Sequence, residues 1–148
     1  MEELVGRLLD RWRVAGVSFN PGAHLSEVGE FERLHHVKLP LDLRVFVLMV
    51  DGMPYNEMDE LTHISSLREY RRIISRVPRH SEVPDADDYF CFGDYNIEGS
   101  FYGIRLIDQT DYPAPVRLFW QDGNGWQCAD SFRDFVFRYL QEGPHSMF

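Results

Sequence analysis

The sequence contains no long hydrophobic run. No stretch approaches the roughly 18 uninterrupted apolar residues that a membrane-spanning helix requires. The first residues, Met1 to Leu4, also lack the basic and then apolar layout of a secretory signal peptide. We therefore expect a protein that stays in the cytoplasm and does not insert into a membrane.

Cysteine is scarce. Cys91 and Cys128 are the only two in the chain, which is too few for a disulfide framework, and their spacing is not that of metal ligands. Both lie in runs whose pattern predicts β-strands. We expect two buried thiols, because a disulfide between them would be unusual in the cytosol.

Motifs of catalysis and cofactor binding are also missing. The sequence has no phosphate-binding glycine loop, no G-x-S-x-G elbow and no H-E-x-x-H helix. Its six histidines do not cluster at metal-ligand spacing, and the turn that begins at Asp122 has Arg133 where a calcium loop needs glutamate. Cys91 with a histidine base is a candidate nucleophile, but its position between two phenylalanines favours a structural role. We predict a protein that is not an enzyme and uses no metal or cofactor.

Basic residues are nearly absent from one third of the chain. Residues 80–132 contain 10 acidic and 2 basic residues, and so carry 8 of the 9 net negative charges. Such a field repels nucleic acid and anionic membranes and attracts basic proteins, although an acidic surface that only aids solubility would have the same composition. The arginines of residues 68–76 are too few and too closely flanked by acids to predict nucleic-acid binding.

The apolar residues that are present recur at helical spacing in five segments. With 148 residues, of which 44% are hydrophobic, the chain has the length and core content of one domain spanning residues 1–148. The spacing predicts helices over residues 4–12, 28–34, 40–50, 67–77 and 132–140. Ser26 is the expected N-cap of the second helix, with Leu34 on its buried face. We expect the third helix to begin at Pro40 and to end at Gly52. We expect a serine pair to cap the fourth helix and Ser131 to cap the fifth.

From Tyr89 onwards the apolar pattern changes to alternation. It predicts strands at residues 89–92, 101–106, 116–120 and 126–128, and residues 61–64 form a further candidate. Runs of turn-forming residues at 94–100 and 121–125 predict tight connections between these strands. The sequence therefore predicts an α+β fold with a central, mostly antiparallel sheet flanked by helices.

Several blocks of the chain share their order and spacing with a known family. The first block is Phe31-Glu32, Val37-Lys38-Leu39-Pro40-Leu41-Asp42-Leu43, Phe46 and Asp51-Gly52. The second is Phe92-Gly93-Asp94 with Tyr102-Gly103-Ile104, and the third is Val116-Arg117-Leu118-Phe119-Trp120 with Ala129-Asp130-Ser131-Phe132-Arg133-Asp134-Phe135. Together the blocks span residues 26–140 and resemble the SUKH superfamily of Smi/Knr-like domains. One departure is that the family often has a glycine-richer turn where this chain has Asn96-Ile97-Glu98-Gly99.

The resemblance implies both a fold and a role. The fold is an α+β domain with a mostly antiparallel sheet, which agrees with the pattern above. Many bacterial members look like immunity proteins, which bind and neutralise a cognate toxin, whereas the best-known eukaryotic member regulates yeast cell-wall synthesis. We therefore expect a non-catalytic protein-binding domain of the immunity-protein type, with a regulatory scaffold as the alternative.

The residues expected to contact the partner lie near the predicted turns of the acidic segment. Aromatic side chains there would supply burial energy, and carboxylates would speed the encounter with a basic toxin domain. For the two tryptophans of this set, the alternative is that they fill the core. The sequence leaves the oligomeric state open. The expected contact residues are Asp94, Tyr95, Glu98, Trp120, Asp122 and Trp126.

Overall fold

The structure, a computed structural model, describes residues 1–77, 83–143 and 147. Its helices in that part of the chain are α1 (Glu2–Ala15), α2 (Leu25–His35), α3 (Leu41–Met49) and α4 (Phe132–Glu142). Its strands are β1 (Thr62–Ile64), β2 (Arg71–Arg72), β3 (Tyr89–Tyr95), β4 (Ser100–Arg105), β5 (Val116–Trp120) and β6 (Gly125–Ala129). Short 3-10 turns lie at Leu67–Glu69, Ile73–Ser75 and Ala86–Asp88. Within the described residues, no helix has the length and apolar content needed to cross a membrane.

The strands form one antiparallel sheet. Its order is β1-β3-β4-β5-β6, and β2 pairs with β3 on the same side as β1. Because neighbouring strands are antiparallel, β3 and β5 run in the same direction and finish at the same end of the sheet. The predicted α+β fold with a central, mostly antiparallel sheet flanked by helices is confirmed, as are the four predicted strands of the second half of the chain.

Apolar side chains cover both faces of the sheet. The main cluster packs the four helices against one face and includes Trp12, Phe46, Phe92, Tyr102 and Phe135. A second, smaller cluster lies on the other face, where the chain between β2 and β3 folds over the strands. Its members are Ile73, Val77, Val83, Ala86, Tyr89, Cys91, Phe101 and Phe119.

Helices α1 and α4 follow their predicted patterns closely. The buried residues of α1 are Leu4, Val5, Leu8 and Trp12, and all four belong to the apolar set that the sequence places at helical spacing. Ser131 is the N-cap of α4, and its Oγ accepts a hydrogen bond from the Asp134 amide at 3.1 Å. Helix α4 ends before Gly143, where the sequence predicts that Gly143-Pro144 stops it. Pro144 itself lies outside the described residues.

The predicted details of α2 and α3 are wrong in three places. The N-cap of α2 is His24, and Glu27 accepts a hydrogen bond from the His24 amide at 2.7 Å, so Ser26 lies inside the first turn. Leu34 is 62% exposed, because the buried stripe of α2 consists of Val28, Phe31 and Glu32 and Leu34 lies beside it. Helix α3 ends at Met49, since Val50 is already extended, and Gly52 adopts its left-handed conformation two residues later.

The helix predicted over residues 67–77 is also wrong. Ser66 does begin a turn, in which its amide and hydroxyl both donate to Glu69, but only one 3-10 turn follows. Arg71 and Arg72 then pair with β3, which draws the segment along the sheet edge and overrides its helical pattern. Two apolar residues of the segment that would have lined a helix instead reach opposite clusters: Leu67 packs in the main one and Ile73 in the second.

Gly52 should be essential to this fold, whereas Gly29 should be replaceable. Gly52 has φ 67°, and a Cβ there would lie 2.4 Å from the Ser65 carbonyl oxygen. We expect Gly52→Ala to lower the free energy of unfolding by at least about 2 kcal/mol, since left-handed strain alone costs about 1–2 kcal/mol.

Gly29 provides the matched control in urea denaturation. It lies in α2, and a Cβ added to it would meet no side chain and no other element within 4 Å. Gly29→Ala should therefore raise the free energy of unfolding by about 0.5–1 kcal/mol, through helix propensity alone. Equal effects of the two substitutions would contradict the packing described for Gly52.

Candidate functional site

Three loops meet at the end of the sheet where β3 and β5 finish. They are residues 60–61 before β1, residues 96–99 between β3 and β4, and residues 121–124 between β5 and β6. The Asn96 amide donates to the Leu61 carbonyl at 2.8 Å, and the Gln121 side-chain amide donates to the Glu98 carbonyl at 2.8 Å. We call these three loops, together with Trp126, the turn-end surface.

The first loop is a two-residue reversal. The amide of Asp59 donates to the Thr62 carbonyl and the amide of Thr62 donates to the Asp59 carbonyl, both at 2.9 Å. The two residues between them, Glu60 and Leu61, have φ values of 46° and 69°. Positive φ at both central positions is the sign pattern of a type I′ turn, which normally takes asparagine and glycine.

Asp59 fixes this loop to two helices. Its side chain is 3% exposed and accepts hydrogen bonds from Arg11 Nε at 2.6 Å and from the Tyr139 hydroxyl at 2.8 Å. Arg11 also forms an ion pair with Glu60 at 3.1 Å. Because Arg11 lies on α1 and Tyr139 on α4, these contacts tie the first loop of the turn-end surface to both helices.

The second loop contains three consecutive left-handed residues. Asn96, Ile97 and Glu98 have φ values of 55°, 53° and 61°. A left-handed conformation costs a residue other than glycine about 1–2 kcal/mol, and a β-branched residue such as isoleucine adopts it rarely. Asp94 supports the turn by accepting a hydrogen bond from the Glu98 amide at 3.0 Å. Strain of this kind at an exposed position is a reason to suspect a function.

Large apolar side chains are exposed on this surface. Ile97 is 73% exposed, Leu61 42% and Trp126 41%. Two of the three, Ile97 and Leu61, are also held in the left-handed conformation. The protein thus exposes two large apolar side chains at positions whose backbone is left-handed.

The three predicted aromatic contact residues lie on the helix-covered face of the sheet. Tyr95 and Trp120 both oppose Ser100, and Trp126 opposes Leu118, which lies two positions before Trp120 on β5, so the three aromatic side chains point to the same face. Tyr95 and Trp120 are half-buried against the main core. Trp126 contacts Trp120 edge to face at 6.0 Å between ring centroids, and its Nε1 donates to the Met147 carbonyl at 3.1 Å.

The three predicted acidic contact residues are more tightly engaged than the sequence pattern indicates. Asp94 points to the opposite face from Tyr95, and its burial raises the pKa of its carboxyl. Glu98 forms an ion pair with Arg76 at 3.1 Å. Asp122 is exposed and accepts hydrogen bonds from the Asn124 amide and side chain, both at 2.9 Å, which lower its pKa.

The structure therefore places the six predicted residues at one end of the sheet, with the three aromatic residues on one face, Asp94 on the other, and Glu98 and Asp122 in the connecting turns. Residues 80–82 of the acidic segment lie outside the described residues. The apolar tips Ile97 and Leu61 are absent from the predicted set, because an isolated aliphatic residue in a polar loop carries no binding signal. The feature that marks Ile97 is a β-branched residue at φ 53°, a conformation that glycine adopts without strain.

The geometry does not support a nucleophilic role for cysteine. Cys91 and Cys128 are both buried free thiols, as predicted, and burial raises the pKa of each to about 12. Among the residues that the structure describes, no group of three or more His, Cys, Asp or Glu side chains is placed to hold a metal ion. His80 and His145 lie outside those residues.

Both thiols should resist alkylation in the folded protein. Iodoacetamide reacts with the thiolate, which a pKa of about 12 keeps scarce at about pH 8. Mass spectrometry should show no adduct on the native protein and two adducts after denaturation in urea. Rapid native alkylation of Cys91 would contradict its burial.

Replacing Ile97 with glycine should stabilise the protein. The substitution removes about 1–2 kcal/mol of left-handed strain and loses little burial, while the entropy of glycine in the unfolded chain offsets about 0.5–1 kcal/mol. We expect the free energy of unfolding to rise by about 0.5–1 kcal/mol in urea denaturation. Val14→Gly is the control, since Val14 is an exposed β-branched residue within α1 and its replacement should destabilise. Destabilisation by Ile97→Gly would show that the turn is not strained.

The comparison with known families agrees with this architecture. The pattern of the SMI1 / KNR4 family (SUKH-1) matches residues 22–138. The match begins before α2, ends within α4 and includes every strand of the sheet, so the whole turn-end surface lies inside it. No curated protein matches the chain. On the extent of the family match, this chain belongs to the SMI1 / KNR4 family (SUKH-1).

Proposed function

We propose that this protein is a non-catalytic immunity protein of a bacterial cytoplasm, which binds and neutralises a cognate toxin through its turn-end surface. The observation that carries the proposal is the coincidence of strain and exposure in residues 96–98, where Ile97 is 73% exposed at φ 53°. Membership of the SMI1 / KNR4 family is compatible with this role.

The apolar tips are proposed to supply most of the binding free energy. Burying an isoleucine side chain is worth about 1.5–3 kcal/mol, and such contacts are strongest when they enter a pocket that excludes water. The loops that present the tips are joined by hydrogen bonds and tied to α1 and α4 through Asp59. A pre-organised surface loses little conformational entropy on binding, which favours affinity.

Charge is proposed to act mainly on the rate of encounter. The chain has a net charge of −9, and the turn-end surface includes Glu60, Glu98 and Asp122. Two of these already face arginines, since Glu60 pairs with Arg11 and Glu98 with Arg76. Asp122 is exposed, so its charge is the most available to a basic toxin domain. We therefore expect salt to weaken binding less than loss of the apolar tips does.

The test begins with the product of the neighbouring gene as candidate toxin. Calorimetry would compare Ile97→Ala with Leu41→Ala, a matched control that is also 73% exposed but lies at the start of α3. We expect Ile97→Ala to weaken binding roughly 10- to 100-fold and to abolish protection against the toxin, whereas Leu41→Ala changes neither.

The charge component is tested with the same partner. Asp122→Asn should slow association by several fold at about 50 mM salt and by less at about 500 mM, because screening removes long-range attraction. Asp111→Asn is the control for the same change of charge in the β4–β5 loop. Binding that ignores both salt and Asp122→Asn would refute the role of charge. Several partners of modest affinity, with no toxin among them, would instead favour the regulatory-scaffold alternative.

A further inference from the structure

A groove separates α2 from the segment that leads into β2. It has a volume of about 380 Å³, within the range of small ligand and peptide sites. One wall is a face of α2, and the other is formed by residues 67–71, with Asp51 at one end. The groove lies away from the turn-end surface, and none of its lining residues belongs to that surface. Its lining residues are Ala23, Glu27, Glu30, Phe31, Leu34, His35, Asp51, Leu67, Arg68 and Arg71.

The middle of the groove is apolar. Phe31 and Leu67 are buried and form its base, while Leu34 projects above them and is 62% exposed. These three side chains would cover the apolar part of a ligand on two sides. A ligand bound here would therefore remove Leu34 from water, which no contact within the described residues of the chain does.

One end of the groove is acidic. Asp51 accepts a hydrogen bond from the Leu67 amide at 2.6 Å through Oδ1. Burial raises the pKa of the Asp51 carboxyl, the hydrogen bond from the Leu67 amide and the charge of Arg68 oppose this shift, and the charge of Glu27 adds to it. Glu30 lies one helical turn after Glu27 on the same wall. Glu27 and Asp51 thus lie near each other at this end, with Glu30 further along the α2 wall and Arg68 on the facing wall.

The other end is basic. Arg71 and His35 line it, and burial together with the charges of Arg72 and Arg71 lowers the pKa of the His35 ring. The imidazole is therefore neutral near pH 7, and the cation that faces the groove is Arg71. Its guanidinium donates through one nitrogen to two backbone carbonyls, of Arg68 and Tyr70. Its other nitrogens can donate to a ligand.

The two walls interact at long range, because the charge of Arg68 acts to lower the pKa of the Asp51 carboxyl. Among the residues that the structure describes, no ion pair crosses the groove, and the side chains of Glu30 and Arg68 have neither a hydrogen-bond nor an ion-pair partner. The exposed charges of Glu30, Arg68 and Arg71 line an apolar groove and are solvated, so a ligand can reach them. The ligand that best complements this lining has a cation at one end and an anion at the other.

We propose that this groove binds an extended segment of a protein partner in which one basic and one acidic residue flank two apolar residues. The basic residue lies against Glu27, Glu30 and Asp51, and the acidic residue lies against Arg71. The apolar pair packs on the side chains of the middle of the groove, which are Phe31, Leu34 and Leu67. This second surface does not depend on the proposed role of the turn end.

The dimensions of the groove match such a segment. Glu27 and His35 are eight positions apart on α2, which corresponds to about 12 Å along the helix axis. The first and fourth residues of an extended chain are separated by about 10 Å. The charged side chains at its two ends can span the remaining distance. A single amino acid is too short to reach both ends.

The test uses fluorescein-labelled peptides and anisotropy. Each probe has a four-residue centre between Gly-Ser-Gly flanks, and the centres are Arg-Leu-Leu-Glu, Glu-Leu-Leu-Arg, Arg-Leu-Leu-Arg and Glu-Leu-Leu-Glu. We expect the better of the first two to bind at least about fivefold more tightly than either uniformly charged probe, because only a dipolar probe satisfies both ends. Equal binding of dipolar and uniform probes, or no saturable binding up to millimolar protein, would overturn the proposal.

Variants of the groove supply the second readout. Glu30→Gln should weaken binding of the dipolar probe, and Glu30→Lys should weaken it further, raising the dissociation constant at least about fivefold. Leu34→Ser should raise the dissociation constant to a similar extent. Both positions are exposed, so neither change should alter the melting temperature greatly. Glu142→Lys, an identical change of charge at the end of α4, is the control and should leave binding intact. If Glu142→Lys weakened binding as much as Glu30→Lys, the effect would be one of net charge and the groove would not be the site.

Discussion

The pairing of β3 with its neighbours is the interaction on which the rest of this structure depends. Strand β3 pairs with β4 along one side and with β1 and β2 along the other. Its Phe90 and Phe92 enter the main core, whereas Cys91 enters the second cluster. Because side chains alternate along a strand, a slip of one residue would send each of them to the wrong face. The register of this one strand thus sets both cores together.

The same strand also positions the turn-end surface. A Cβ on Gly93 would lie 2.5 Å from the His63 carbonyl oxygen, so the absence of a side chain there lets β1 approach β3 closely. Strand β1 in turn carries the reversal at residues 60–61, which Asp59 ties to α1 and α4. The proposed binding loops are therefore held in place by the same strand pairing that builds the sheet.

The sequence predicts this fold well wherever local signals and tertiary packing agree. The alternation of apolar residues in β3 to β6, the Ser131 cap and the apolar face of α1 are strong signals, and the structure confirms each of them. The apolar residues of segment 67–77 recur at helical spacing, which predicts a helix. The pairing of Arg71 with Cys91 prevents that helix, and a local sequence pattern contains no information about such a long-range pairing. The groove beside α2 cannot be predicted from the sequence for a similar reason. Leu34 occupies a position that the helical period assigns to the core, and yet its side chain lies outside the core.

The turn at residues 96–99 shows why a departure from a simple local rule is informative. Glycine would adopt the backbone of residues 96–98 without strain, and the chain has Asn96, Ile97 and Glu98 there instead. Asparagine tolerates this conformation, and Glu98 gains an ion pair with Arg76, so each has a local reason to be present. Ile97 has none: it is 73% exposed and β-branched, and it makes no contribution to either apolar cluster in the described part of the chain. A β-branched side chain that is largely exposed in a left-handed turn, and that belongs to neither apolar cluster of the described residues, is the reason for proposing that this turn contacts a partner.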